Sequence, residues 1–399
     1  MAKSKGDELV LDLGRQPVSN RFVDLARKAV VPSFPMRLMV NRNDGMVRLE
    51  TPFPVEEVRP RYEWITCFEP EDHLDDMVSD LVALPGITRD SVFAGYSFKD
   101  DSTLERLKHK GYEKQWRLDP EGDLGVTDRC ANIETYQSVF NPATAEKIRK
   151  NRGCVDVLVV RHVLEHAYRC QNFMSALASL VKPTGYIVWE IPDCEAALNG
   201  GDCTTIWEEH THYFTKYTFR ELLRSSGFNI VQYQSVQYPL ENSIIAVTEG
   251  KRQVNPIHAP TRVDVDRECQ RAVAFGRKVK ERKKTIESRL AKLEEQGVRV
   301  AMFGAGHLAA AFISIMDVSR NIEFVIDDNP NKTGMLMPVG DVPIVGSDAL
   351  YSNRVGVCLL SLNPQNHYRV IEKHSGFSDK GGIFLSIFPG TSLDVEKMV

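Results

Sequence analysis

Val155–Val160 (VDVLVV) is an almost unbroken run of β-branched and apolar residues. Such a run does not alternate between a wet and a dry side. It requires burial on both faces, which a parallel sheet covered by helices supplies. The surrounding residues repeat the theme. An amphipathic helical pattern over Asp75–Leu84 precedes a short apolar strand, Ser91–Gly95. A helical pattern over Ser102–Lys110, stopped by Gly111, leads to a second strand, Gln115–Asp119. A helix from about Asn172 to Val181 ends at Lys182-Pro183-Thr184-Gly185, and Tyr186–Pro192 supplies a further strand. Strands separated by helices predict a doubly wound α/β domain, assigned to residues 73–252.

A second unit follows a long charged helix. Arg262–Gln296 carries apolar periodicity and the basic run Arg277–Lys284, read as a solvated helix face, so 261–297 is taken as a linker helix. After Gly297, Val298–Ala309 reads as strand, glycine turn and helix. Glu323–Asp328 is the next strand and ends in acids about 20 residues beyond the glycines. Val355–Leu360 and Gly382–Phe388 complete a second, smaller Rossmann-like domain over 298–399. Residues 1–72, rich in Pro, Arg and short extended stretches, predict a small β-rich segment. A chain of 399 residues is long enough for two or three such units.

Composition narrows the function. A net charge of -4 with no basic stripe argues against nucleic acid, and no apolar run reaches bilayer length. Cys67, Cys130, Cys154, Cys170, Cys194, Cys203, Cys269 and Cys358 form no C-x-x-C pair. That pattern predicts no thiolate metal site and a reduced, cytoplasmic protein. The oligomeric state is left open.

The chemistry concentrates in Trp207-Glu208-Glu209-His210-Thr211-His212-Tyr213-Phe214, which follows the turn-rich run Asn199–Thr205. Imidazoles beside carboxylates and aromatic walls suit proton transfer near neutral pH. The turn Gly304-x-Gly306-x-x-Ala309 either cradles a phosphate at a helix N-terminus or serves only tight packing. Asp119 ends a strand where an acid can take both hydroxyls of a ribose, or cap the turn before Pro120. Arg161-His162-Val163-Leu164-Glu165-His166 follows the buried strand, putting His162 and Glu165 at the carboxyl edge of the sheet. His166 reads as a packed residue at a helix start.

These residues add up to a resemblance over nearly the whole chain. Leu11–Phe22 (LDLGRQPVSNRF), HVLEH at 162–166, EEHTHYF at 208–214 and Ile326–Gly334 with Pro343-Ile344-Val345 beyond it are similar, in order, to elements of a known family. It comprises the three-domain S-adenosylmethionine-dependent C-methyltransferases of nucleotide-linked deoxysugars. The resemblance implies a class I methyltransferase domain, S-adenosylmethionine as cofactor and a small nucleotide-sugar substrate for surface-polysaccharide or secondary-metabolite synthesis. It implies His210 as the base that generates an enolate, with Glu209 orienting it. Cofactor contacts are expected from Gly95, Asp100, Asp119, Arg161 and His162, and acceptor contacts from Trp207, His212, Gly304, Gly306 and Asp328.

Three departures stand out. The family's paired N-terminal cysteines are absent, Asn41-Arg42-Asn43-Asp44 standing at the second pair, so no zinc is expected. The cofactor turn, Ala94-Gly95-Tyr96-Ser97-Phe98-Lys99-Asp100-Asp101, keeps one glycine, and Asp100 or Asp101 either meets the cofactor's ammonium or caps the next helix. Trp207 stands where the family has tyrosine, and an indole N–H only donates. Two rival readings remain: a non-catalytic nucleotide-sugar-binding scaffold, and an NAD-dependent sugar oxidoreductase using Gly304–Asp328.

Overall fold

The computed structural model describes residues 6–25, 30–65, 69–253, 260–352 and 355–397; Cys67 lies outside them. The middle sheet is built from β4 (Phe93–Gly95), β5 (Gln115–Arg117), β6 (Val155–Arg161), β7 (Val181–Asp193), β8 (Phe228–Val236) and β9 (Asn242–Arg252). Their order is β8-β9-β7-β6-β4-β5. The unbroken apolar character of β6 is explained by its setting. Leu158 and Val160 pack into one hydrophobic cluster, Val157 into another on the opposite face, and all are 1% exposed or less. From β5 to β7 the strands are parallel, whereas β9 runs antiparallel to both β7 and β8. This antiparallel pair departs from the expected strand–helix alternation. The connection from residue 236 to 242 is too short for a crossover, so it can only reverse the chain.

The chain leaves β4 for β5 on one side and reaches β6 on the other. That reversal opens a crevice at the carboxyl ends of β4 and β6. The helix α1 (Asp101–His109) rises from it, and α2 (Ile133–Val139) and α3 (Cys170–Ala178) follow.

The N-terminal residues are a wall of the molecule. They form β1 (Asp7–Pro17), β2 (Ser33–Asn41) and β3 (Val47–Leu49), with Val47 and Arg48 pairing antiparallel to Tyr213 and His212 of the middle unit. A two-residue ladder joins Val23–Asp24 to Met335–Leu336 of the C-terminal unit. The C-terminal sheet is all parallel: β10 (Arg299–Phe303), β11 (Ile322–Ile326), β12 (Ile344–Val345), β13 (Val355–Leu360) and β14 (Ile383–Ser386), ordered β12-β11-β10-β13-β14.

The long helix α4 (Arg262–Glu295) ties these layers together. Its buried stripe, including Cys269, Phe275 and Ile286, shares one hydrophobic cluster with Val10 and Leu38 of the N-terminal sheet and with Met302 of β10. One residue of its basic run is not solvated. Arg282 is 4% exposed, donates to the Ile387 carbonyl at 2.8 Å and pairs with Asp394 at 3.2 Å and with Glu396. Gly276 shows how closely strand and helix approach, since a Cβ there would sit 2.4 Å from the Val10 carbonyl oxygen. Glycine to alanine inside a helix normally adds about 1 kcal/mol. Here Gly276→Ala is expected to remove about 1–3 kcal/mol, because the backbone of β1 must yield. Urea melts of the two proteins decide it, and an unchanged or raised midpoint would contradict this packing.

Candidate active site

The Trp207–Phe214 segment divides its side chains among several neighbours. Glu208 is buried and accepts from the Ser19 N–H (2.6 Å) and hydroxyl (2.8 Å), 189 residues earlier. Glu209 accepts from Asn20 Nδ2 at 3.2 Å, and Asn20 also donates to the Val58 carbonyl at 2.7 Å. Thr211 donates its N–H (2.8 Å) and hydroxyl (3.0 Å) to the Glu165 carbonyl. His212 and Tyr213 pair with β3, and Phe214 is fully buried. The loop is thereby held from both sides, leaving Trp207, Glu209 and His210 facing a cavity of about 840 Å³.

Three regions meet at that cavity. The N-terminal segment supplies Asn20, Phe22 and Trp64. The carboxyl edge of the middle sheet supplies Phe98, Lys99, Ser102 and Arg161, with Glu134 and Tyr136 from α2. The C-terminal unit supplies Gly306 and His307, at the start of α5 (His307–Met316), together with Lys332. The Trp207 ring stacks on His307 (centroids 4.4 Å apart, 26° between planes) and lies 4.9 Å from the His210 ring. His166 stands edge-on to His210 at 4.9 Å, with its Nδ1 2.5 Å from Glu134 Oε1.

Burial governs the charges here. Burial pushes His210 well below the usual imidazole range, and the neighbouring His166 and Lys99 push the same way, so the ring is neutral at pH 7. Glu209 moves the opposite way, raised well above the carboxylate range by burial and by Glu134 and Glu208. Burial also holds His307 down to about 4. His210 and Glu209 both face the cavity without a hydrogen bond between them, Glu209 reaching Asn20 instead.

Several residues read from the sequence as cofactor contacts lie elsewhere. A Cβ on Gly95 would meet Asp100 Cβ at 2.8 Å. Asp100 is fully buried, accepting from Arg161 N–H (2.9 Å) and Ser97 N–H (2.8 Å), and burial raises it to about 7. The bulky Tyr96 turns inward, its ring 5.2 Å from those of Phe140 and Phe173. Asp119 caps its own turn, accepting from Glu121 and Gly122 N–H groups. His162, with φ of 48°, sits in a buried ionic knot: Nε2 is 3.1 Å from Glu190 Oε1, and Arg161 Nε is 2.5 Å from Glu190 Oε2. Of the five, Arg161 lines the cavity.

The acceptor set divides similarly. Trp207 and Gly306 line the cavity. Gly304, at φ of 106°, turns the chain beneath it against Leu362. Asp328 points away, 3.0 Å from Lys373. Asp327 takes the position beside the glycine turn, accepting from the Ala305 N–H (3.1 Å) and Lys332 Nζ (2.8 Å). His212 lines a separate pocket with Cys170 and Arg48. His166, read as a packing residue, lines the main cavity. Glu134 went unnoticed in the sequence because nothing nearby marks it, while Lys332, inside the Ile326–Gly334 motif, and His307, beside the glycines, were passed over as individual residues.

Comparisons with known proteins divide along the same units. A model of the C-methyltransferase C-terminal domain matches residues 252–389, and a methyltransferase-domain model matches residues 97–233. C-methyltransferase NovU of Streptomyces niveus is 20% identical over 368 residues, covering 89% of this chain and 86% of that protein. The chain is a methyltransferase whose C-terminal part matches the C-methyltransferase C-terminal domain. Similar solved structures include a Burkholderia thailandensis 1,6-didemethyltoxoflavin-N1-methyltransferase (13% identical, 46% of this chain and 80% of that one, TM-score 0.30). Another is the Synechocystis magnesium protoporphyrin IX methyltransferase (14%, 45% and 78%, TM-score 0.29). Both models are methyltransferase models and neither is of an oxidoreductase. Among the described residues no helix is long and apolar enough to cross a membrane.

A methyltransferase domain draws its methyl group from a donor, and the crevice at β4 and β6 has groups that fit S-adenosylmethionine. Arg161 Nη2 is buried without a partner and belongs to a side chain on the cavity wall, placed for the cofactor's carboxylate. Glu69 and Glu71 stand nearby for its ammonium, and Phe98, Ile133 and Tyr136 offer apolar surface for the adenine.

The ionic knot beneath this crevice is a structural requirement. Glu190 is fully buried and faces Arg161, His162 and, 3.1 Å away, His73 Nε2. Burial opposes the charge on His162, but Glu69 and Glu190 together lift it to about 10. Glu190→Gln is therefore expected to cost about 3–5 kcal/mol, because buried cations lose their counter-charge. The His162 share of that loss is present in full below its ordinary value near 6.5 and fades as pH rises through about 10. The gap between the urea-melt free energies of wild type and variant should therefore narrow at alkaline pH. A gap that widens there would refute the pairing.

Proposed function

We propose that this methyltransferase methylates a carbon beside a carbonyl on a nucleotide-linked sugar, with His210 and Glu209 as its acid–base residues. One observation carries the reading. A single cavity joins the carboxyl edge of the methyltransferase sheet, the Glu209–His210 loop and the glycine turn of the C-terminal domain. Bound S-adenosylmethionine supplies an electrophilic methyl group. The chain's own residues do the rest. Neutral His210 can accept a proton from the acceptor carbon, and Glu209, kept protonated, can donate a hydrogen bond to the carbonyl oxygen as the enolate forms. Trp207 and His307 form a flat stacked wall suited to a sugar ring. Lys332 and the first turn of α5 favour a phosphate through charge and unpaired N–H groups.

His210→Ala should bind S-adenosylmethionine as wild type does while methyl transfer falls by about 10²–10⁴. Exchange of the acceptor's α-hydrogen with deuterated water should fall with it. Calorimetry and mass spectrometry measure the two, and turnover retained in this variant would reject His210. Lys332→Ala should raise KM for the nucleotide-linked acceptor by about 10-fold, in line with one lost charged contact, and change kcat less. Steady-state kinetics test that split. An unchanged KM would remove Lys332 from the acceptor site.

A further inference from the structure

We propose that Glu165, His166 and His210 form a binding site for a divalent transition-metal ion on the wall of this cavity. One carboxylate oxygen and one nitrogen from each imidazole lie within 4.8 Å of one another. Ligands held about 2.0–2.2 Å from an ion stand roughly 3–3.5 Å apart, so small rotamer shifts close the cage. Each of the three residues also carries a buried polar atom with no hydrogen-bond partner: Glu165 Oε2, His166 Nε2 and His210 Nδ1. Glu165 and His166 are 1% and 3% exposed. Orphaned buried acceptors of this kind are costly unless something binds them.

The surroundings favour a metal. Glu134 Oε1 lies 2.5 Å from His166 Nδ1, which fixes the proton there and leaves the Nε2 lone pair free. This is the carboxylate–histidine arrangement that orients metal-bound imidazoles. Thr211 holds the Glu165 backbone against the loop that carries His210, so the ligands are fixed relative to one another. Two imidazoles and one carboxylate suit first-row divalent ions better than Mg²⁺ or Ca²⁺. With three protein ligands, positions remain open on the cavity side for an acceptor oxygen. The proposal rests on the preceding reading for the cavity and its acceptor. In the ion-loaded protein His210 is a ligand at Nδ1 and no longer accepts the acceptor's proton, so ion binding and the acid–base role of His210 exclude each other and the ion is expected to inhibit methyl transfer.

The test is titration of chelator-treated full-length protein with Co²⁺, followed by visible absorption and by calorimetric stoichiometry. One ion per chain is expected, not displaced by excess Mg²⁺. His166→Gln should weaken Co²⁺ binding at least about 100-fold, and Glu134→Gln about 10–100-fold, while S-adenosylmethionine binding stays unchanged. Should His166→Gln fail to fold, Glu165→Gln serves in its place. No Co²⁺ binding by wild type, or equal binding by the variants, overturns the site. Stripped protein that transfers methyl groups and takes up no Co²⁺ likewise overturns the site and leaves the methyl-transfer reading standing. Protein that binds Co²⁺ through these residues but neither S-adenosylmethionine nor acceptor upholds the site and sinks that reading.

Discussion

The geometry of the cavity depends on a bond between residues 189 positions apart. Glu208, buried and acidic, would be costly inside the protein without donors, and Ser19 supplies two of them. That contact fixes the start of the Trp207–Phe214 segment against the N-terminal wall, and pairing of His212 and Tyr213 with β3 fixes its end. Between the two anchors the chain has little freedom, so Glu209 and His210 present to the cavity as a rigid pair. Rigid placement would serve the proton transfer proposed for this pair, since small errors in position are expensive in rate. The N-terminal sheet is therefore part of the active-site framework, and its two-residue ladder to the C-terminal unit extends that framework across the cavity.

A second constraint lies below the crevice. The usual glycine-rich turn lets the backbone come close to a cofactor, but this chain has kept only Gly95, and Asp100 occupies the space beside it. The ionic knot of Glu190, Arg161 and His162 supports the floor instead. One guanidinium nitrogen of Arg161 remains unused on the cavity side. Beside a turn with one glycine, the crevice thus presents a buried side-chain cation. An ionic floor is stiffer, because breaking any one partner strands the others.

How much of this was legible in the sequence depends on the range of the interaction. The β6 run and the helices flanking it announce themselves, since burial on two faces and 3.6-residue periodicity are local properties. The strand–turn–helix of Val298–Ala309 was equally plain. The antiparallel β8–β9 pair was not, because direction in a sheet follows from loop length rather than from the strand's own residues. At the site, local motifs picked out the Glu209–His210 loop and Arg161. They misplaced the partners whose roles depend on which way a side chain turns: Asp119 into its own turn, Asp328 towards Lys373, His212 into another pocket. Asp327 rather than Asp328 serves the glycine turn, a one-residue difference no spacing rule resolves. Glu134 has no sequence signal, since its meaning comes from His166, which is 32 residues away and reached only through the fold.

Trp207 changes meaning once its neighbours are known. As a replacement for a tyrosine it removes a hydroxyl that could accept as well as donate. In the fold, the indole stacks on His307 of the C-terminal domain and packs beside His210 of its own loop. A phenol ring offers less area for two simultaneous ring contacts, so the substitution exchanges a polar handle for a bridge between domains. His307 is held neutral by burial, which suits stacking on an aromatic face without the desolvation cost of a cation. The polar groups around that wall are Glu209, His210 and the carboxylates beside His166. On that side Glu165 Oε2, His166 Nε2 and His210 Nδ1 are buried without a hydrogen-bond partner.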